Sequence, residues 1–259
     1  MNHKHACQAV CGLAFLPALL LLTSGVAHAG SFSVNPVRIT LSAKQPVAAL
    51  TVRNSSSEPT VVQLETNAWS QSMGQDLLIP SSDLLATPPI FTIQPGSTQI
   101  LRVGLRKMPQ ASSEITYRLI LREVPPSLPT SGLTVALRIS MPVFVLPATA
   151  TAADVKWHAT RGKDGNIRVR ATNNGTAHVQ IASLSLESEG KPLGNRSVAE
   201  YVLPGNSRDW LVSAPTQPGA AAKLRIVAKT DSGTLNAEVA LDAEAVAAND
   251  SAPPAVAAR

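Results

Sequence analysis

Residues 133–146 read LTVALRISMPVFVL. Leu133, Val135, Leu137, Ile139 and Met141 alternate with Thr134, Ala136, Arg138 and Ser140. Alternation at period two sets the large apolar side chains in one row on one face of a β-strand. Such a row is normally buried or blunted with charge, because an exposed apolar edge invites other chains to pair with it. Here the row follows an exposed prolyl loop, PPSLPTSG at 125–132, and runs on towards the small-residue stretch PATATAA at 147–153. A strand placed between a prolyl loop and a linker reads as the last strand on a sheet edge. It could offer its backbone and its apolar row to another protein by strand addition.

Outward from this strand the pattern is strand and turn. AALTVRN 48–54, TVVQLETNAW 60–69, TQILRVGLR 98–106 and TYRLILREV 116–124 precede it. Beyond the linker come VKWHATR 155–161, NIRVRATN 166–173, VQIASLSLES 179–188, AEYVLPG 199–205, KLRIVAKT 223–230 and TLNAEVALD 234–242. KDGN 163–166, NNGT 173–176 and DSG 231–233 punctuate the second series with residues that tolerate the positive φ of tight hairpins. Amphipathic helices are not evident. The expectation is an all-β chain of two tandem immunoglobulin-like β-sandwich domains, over 30–147 and 154–245, joined by a linker at 148–153. The Ala/Pro-rich tail VAANDSAPPAVAAR, 246–259, is expected to be disordered.

The first residues form an export signal. Lys4 opens a polar start, GLAFLPALLLL 12–22 is apolar but short for a bilayer span, and AHA 27–29 is a small-x-small cleavage site. A cleavable signal peptide over 1–29 is expected, and Cys7 and Cys11 leave with it, so the exported chain has no cysteine and depends on an ordinary core. No second apolar stretch nears membrane length, so stable membrane insertion is not expected. The formal net charge of +5 is dispersed and aromatics make up 3% of the chain, which argues against a nucleic-acid partner. His158 and His178 lack metal-ligand spacing and read as partly exposed strand or turn residues. With no nucleophile elbow, no phosphate-cradling loop and scattered carboxylates, neither an enzyme, a metal nor a cofactor is expected.

Several motifs resemble the periplasmic chaperones of chaperone–usher pilus assembly, the PapD-like proteins. They are NAW 67–69, LLATPPIFTIQPGSTQILRV 84–103, YRLILREVPP 117–126, the strand 133–147 and VLPGNSRDW 202–210. Tyr117-Arg118 and the short prolyl loop resemble most the archaic branch, which serves spore-coat-U-like pilins. The resemblance implies two sandwiches in a boomerang arrangement, a periplasmic location, and pilin subunits and an outer-membrane usher as partners, with no ATP. It implies a donor strand in which Leu133, Val135 and Leu137 fill a subunit groove and Ile139 and Met141 continue the face. It also implies basic residues that hold the subunit's C-terminal carboxylate. Arg38, in NPVRITL, falls on one such position, whereas a lysine found in one branch of the family falls on Pro142. Arg118 is the candidate substitute: it alternates with Tyr117 and Leu119, and a guanidinium binds a carboxylate bidentately. Arg138 is a weaker one. Arg102 and Glu114 fall on charged family positions and are expected to pair at the domain junction, although the basic residue that closes the family's donor strand is replaced by Leu146. The alternative, a pilus subunit or adhesin-like sandwich, would need a longer N-terminal extension than 30–36 and often a disulfide.

Overall fold

The computed structural model describes residues 32–125, 135–162, 164–214 and 222–243. The expected leader, most of the prolyl loop, Leu133 and the tail lie outside these residues. Within them the chain is built of strands and turns, with no helix.

The first domain opens with β1 (Phe32–Asn35), β2 (Ile39–Leu41), β3 (Val47–Asn54), β4 (Thr60–Ser72) and β5 (Gln75–Pro80). It continues with β6 (Leu84–Thr87), β7 (Ile90–Ile93), β8 (Thr98–Leu105), β9 (Ile115–Val124) and β10 (Arg138–Val145). One sheet has the order β1-β3-β8-β6, and the other β2-β10-β9-β4-β5 with β7 beside β4. Period-two alternation turns Leu50, Val52, Leu101 and Val103 from the first sheet towards Val62, Leu119, Leu121, Met141 and Val143 from the second. Each such buried side chain contributes about 1.5–3 kcal/mol. Two antiparallel-rich sheets closed over one core form an immunoglobulin-like sandwich.

The second domain comprises β11 (Val155–Arg161), β12 (Ile167–Asn173), β13 (Val179–Ser188), β14 (Lys191–Val202), β15 (Ser207–Val212), β16 (Lys223–Thr230) and β17 (Gly233–Ala243). Its strands follow the path β14-β13-β16-β17-β11-β12-β15. β17 turns the corner, antiparallel to β16 along its length and parallel to β11 at Leu241–Ala243. Ile167, Val169, Ile181, Leu184, Leu186, Trp210, Leu224 and Ile226 fill the core. A third cluster of Trp69, Phe144 and Leu203, with Tyr201 against it, joins residues of both domains.

The segment between β10 and β11 is fastened to the β12–β13 turn. Ala152 O accepts from Thr176 N at 2.8 Å and Ala177 N at 3.2 Å, and Asp154 O accepts from Asn174 N at 2.8 Å. A Cβ at Gly175 would collide with the backbone of Ala152 and Asp154. Gly175→Ala should therefore lower stability by about 1–3 kcal/mol, the range for forced overpacking, as read from urea unfolding.

Candidate functional site

Among the described residues, β10 is paired on one side only for much of its length. It runs antiparallel to β9 from Arg138↔Arg122 to Val145↔Ile115. On its other side β2 covers only Val143–Val145, in parallel. Leu137 O accepts from Glu123 N at 2.9 Å, so the odd-numbered residues of this segment turn their backbone groups towards β9. The even ones, Ala136, Arg138 and Ser140, turn theirs towards the open edge. Pro142 belongs to the even set, so its missing N–H takes nothing from the β9 ladder and closes the row of open donors beside β2.

The apolar row is graded along the strand. Leu133 lies outside the described residues. Val135 is 54% exposed, Leu137 and Ile139 are partly buried against the first-domain core, and Met141 is 1% exposed within it. The expected donor row of Leu133, Val135, Leu137, Ile139 and Met141 is corrected at its far end. Met141 belongs to the protein's own sandwich, because the opposite sheet covers the strand from there onward.

A basic row crosses this sheet at the closed end of the edge. Pro142 lies opposite Arg118, and Arg118 opposite Asn67. Arg38 immediately precedes Ile39, the partner of Val143. Trp69, Arg118 and Phe144 share the face turned towards the second domain. The Arg118 guanidinium lies 3.7 Å above the Trp69 ring centroid, 5.5 Å from that of Tyr201 and 4.0 Å from Asp76. Burial lowers its pKa from the usual guanidinium value, while Asp76 acts the other way. A cation over an indole face is attracted by the ring quadrupole. Arg38 reaches from the end of β2 to Asp231, Nη1 to Oδ2 at 2.6 Å. Burial raises the Tyr201 pKa, and Arg38 and Arg118 both oppose it, so the two cations flank one phenol in the cleft. Cross-strand neighbours on one face lie about 5 Å apart, so Arg118 puts a charge beside the position where Pro142 has none.

The expected Arg102–Glu114 pair does not form. Arg102 sits between buried Leu101 and Val103 on β8 and points out of the sandwich. Glu114 precedes β9 in the opposite sheet, with its side chain 1% exposed and its two oxygens 2.7 and 3.0 Å from His178 Nδ1. His178 is the partly exposed residue expected, placed just before β13, and it also stands at the domain junction. Its ring stacks on Phe144 at 3.6 Å between centroids and 7° between planes. Around it, Arg208 pairs with Asp76 and Glu200, and Gln71 donates to Tyr201 O at 2.9 Å and accepts from Leu203 N at 3.0 Å. Trp69 Nε1 is the one buried side-chain polar atom without a partner among the described residues. Arg138 is exposed and 3.9 Å from Glu65, away from the cleft cluster. His158, also exposed, lies 3.6 Å from Asp242. No cluster that could hold a metal ion occurs among the described residues.

Two sandwiches, an open last strand in the first and a basic cleft between them define a class of two-domain immunoglobulin-like protein. Residues 31–151 match the family described as pili and flagellar-assembly chaperone, PapD N-terminal domain. The first domain thus belongs to the PapD-like pilus-chaperone family. The chain is 29% identical over 130 residues to the Escherichia coli chaperone protein FaeE, covering 49% of this chain and 48% of FaeE. It is 31% identical over 86 residues to the Escherichia coli chaperone protein PapD, covering 31% of this chain and 35% of PapD. The chain matches about half the length, or less, of these two relatives. In fold it is similar to a chain of the CsuC–CsuE chaperone–tip adhesion subunit pre-assembly complex from the archaic chaperone–usher Csu pili of Acinetobacter baumannii. That likeness has a TM-score of 0.61 at 21% identity and covers 81% of this chain and 98% of the other. It is also similar to a chain of the Salmonella enterica SafA pilin–SafB chaperone complex, with a TM-score of 0.58 at 19% identity, covering 83% and 98%.

His178→Phe would keep a ring against Phe144 but leave Glu114 buried without its partner. Stability should fall by about 3 kcal/mol, as when one member of a buried pair is removed. Urea melts of both proteins at neutral pH would read this out.

Proposed function

We propose that this protein is a periplasmic chaperone that folds and caps pilin subunits by donor-strand complementation and delivers them to an outer-membrane usher without ATP. The observation that carries the reading is the half-covered edge of β10, with Arg38 at its closed end. A pilin that lacks its last strand exposes a groove of unpaired backbone groups and apolar side chains, which would aggregate. The open segment at Val135–Ser140 offers it both a backbone edge and, through Val135 and Leu137, apolar side chains to fill the groove, with Leu133 the expected next residue of the row. The expected export signal at 1–29 and the family of the first domain support the same reading.

The position of β2 supports a direction for the bound strand. β2 occupies the same edge in parallel and begins directly after Arg38. A subunit strand lying in line with β2 and in the same direction would pass Ala136, Arg138 and Ser140 and end beside Arg38. Its C-terminal carboxylate would meet Arg38 there, with Arg118 one strand further across. An antiparallel strand would bring an amino end to two guanidiniums instead. Parallel pairing is slightly less stable per residue than antiparallel pairing. A later subunit's extension, inserted antiparallel, can therefore displace the chaperone strand downhill and release it without nucleotide.

Val135→Asp should leave the fold intact, because Val135 is exposed, yet abolish recovery of co-expressed pilin from the periplasm, since it would place an unpaired charge in the groove. Met141→Asp should prevent folding instead. A Val135→Asp protein that recovers pilin normally would show that this register is not donated.

Arg38→Ala and Arg118→Ala should each reduce pilin recovery with little change in thermal midpoint. Full recovery by the Arg118 variant would return that residue to a purely structural stack on Trp69. Purified chaperone–pilin complex mixed with an excess of synthetic pilin extension peptide should release free chaperone slowly, without ATP or membrane. Release that requires ATP would overturn the exchange mechanism.

A further inference from the structure

Arg38 already holds a carboxylate. Asp231 lies in the turn between β16 and β17 of the second domain, 193 positions away in the chain, and its Oδ2 is 2.6 Å from Arg38 Nη1. The contact is held in place rather than loose. Asp231 Oδ1 accepts from Gln180 N at 3.1 Å, and its Oδ2 lies 3.5 Å from His178 Nε2. The pair sits at the mouth of the cleft, with the Arg38 side chain 41% exposed and that of Asp231 20% exposed. It is therefore accessible to an incoming chain end. Arg118, the other cation flanking Tyr201, is stacked on Trp69 and only 14% exposed, with Asp76 as its nearest anion. The guanidinium nearest the end of the open edge is thus the one engaged by an anion from the other domain.

We infer that Asp231 is an internal counter-anion that occupies Arg38 in the free chaperone and is displaced by the C-terminal carboxylate of a bound subunit. The inference rests on the reading of Arg38 as the carboxylate anchor. Two carboxylates converging on one guanidinium repel each other, so each weakens the hold of the other. Asp231 does not become isolated on displacement, because Gln180 N remains bonded to it and His178 stays within reach. The consequence is selection. A strand that reaches Arg38 with a terminal carboxylate can replace Asp231. A strand that passes through the edge without one, from a misfolded or internal segment, leaves the internal pair closed. When the subunit departs, Asp231 returns to Arg38, which lowers affinity and favours discharge. Asp231 is in this sense a specificity-determining residue that acts through Arg38.

The test is competition inside one periplasm. Two chaperones with different tags, one of them unaltered, are co-expressed with a pilin that the unaltered protein recovers, and the pilin bound to each is quantified. The variants are Asp231→Asn, Arg38→Gln and the double variant. Asparagine retains the acceptor for Gln180 N and removes the charge, and a thermal melt confirms that each variant is folded. Asp231→Asn should capture about two- to fivefold more pilin than the unaltered chain, the range set by relief of a partly exposed ion pair. That advantage should vanish in the double variant, and against a pilin extended at its C-terminus by a few Gly-Ser residues. If Asp231→Asn captures no more pilin than the unaltered protein while Arg38→Gln captures less, the counter-anion role is overturned and the anchor stands. If Arg38→Gln captures as much as the unaltered protein, the anchor reading itself fails. An advantage of Asp231→Asn that persists in the double variant would overturn the role assigned to Arg38 in the exchange.

Discussion

β10 completes the first-domain core with one half and, among the described residues, leaves the edge of its other half unpaired, and the rest of the molecule is arranged around that division. From Met141 onward its apolar side chains complete the first-domain core, and β2 closes its edge at Val143–Val145. Before Met141 the edge is open, and at Val135 the apolar row is exposed. An open edge is an aggregation hazard that proteins commonly blunt with charge or proline. Both occur here. Arg138 and Arg122 lie 3.9 and 3.3 Å from Glu65 on the neighbouring strands, and Pro142 ends the run of edge donors. The edge is thereby confined to a short segment with a charged flank.

The same strand ties the two domains together. Phe144, three residues beyond Met141, stacks on His178 of the second domain and packs near Trp69 and Tyr201. Burying charge at such a junction is costly unless each group has a partner. Glu114 has His178, Arg208 has Asp76 and Glu200, Arg38 has Asp231, and Arg118 has the indole face of Trp69 with Asp76 nearby. The cleft therefore carries three guanidiniums around Tyr201, each with an anion beside it. The unpaired edge and one of the junction aromatics, Phe144, thus lie on the same strand.

Much of this was legible in the sequence. Period-two alternation and Gly/Asn-bearing turns identify an all-β chain of two sandwiches, and the loop before residue 133 and the linker after 146 mark the open strand. The alternation of Arg118 with Tyr117 and Leu119 assigns it to the face away from the core. The short strands β5 and β7 escaped notice. β5 is exposed throughout, and its hairpin turn places Met73 at φ 49° before Gly74 at φ 73°, an unusual residue for a turn that favours Asn or Asp there. His178 carried no local signal, since nothing near it in the chain reports that Phe144 and Glu114 will surround it. Arg102 and Glu114 were matched by position in a family pattern, but they belong to opposite sheets and face different ways.

Local alternation by itself determined which side chains share a face, because the pleat of a strand sets that geometry within a few residues. It therefore settled the apolar row, the face on which Arg118 lies and the class of fold. It did not determine how far along the strand a second sheet would cover the row, and so it could not separate Val135 from Met141. Nor could it determine which charges would meet between the domains. Arg38 and Asp231 are 193 positions apart, and Glu114 and His178 are 64 apart. Such contacts depend on how two separately formed cores dock, a relation that no periodicity within either strand series encodes.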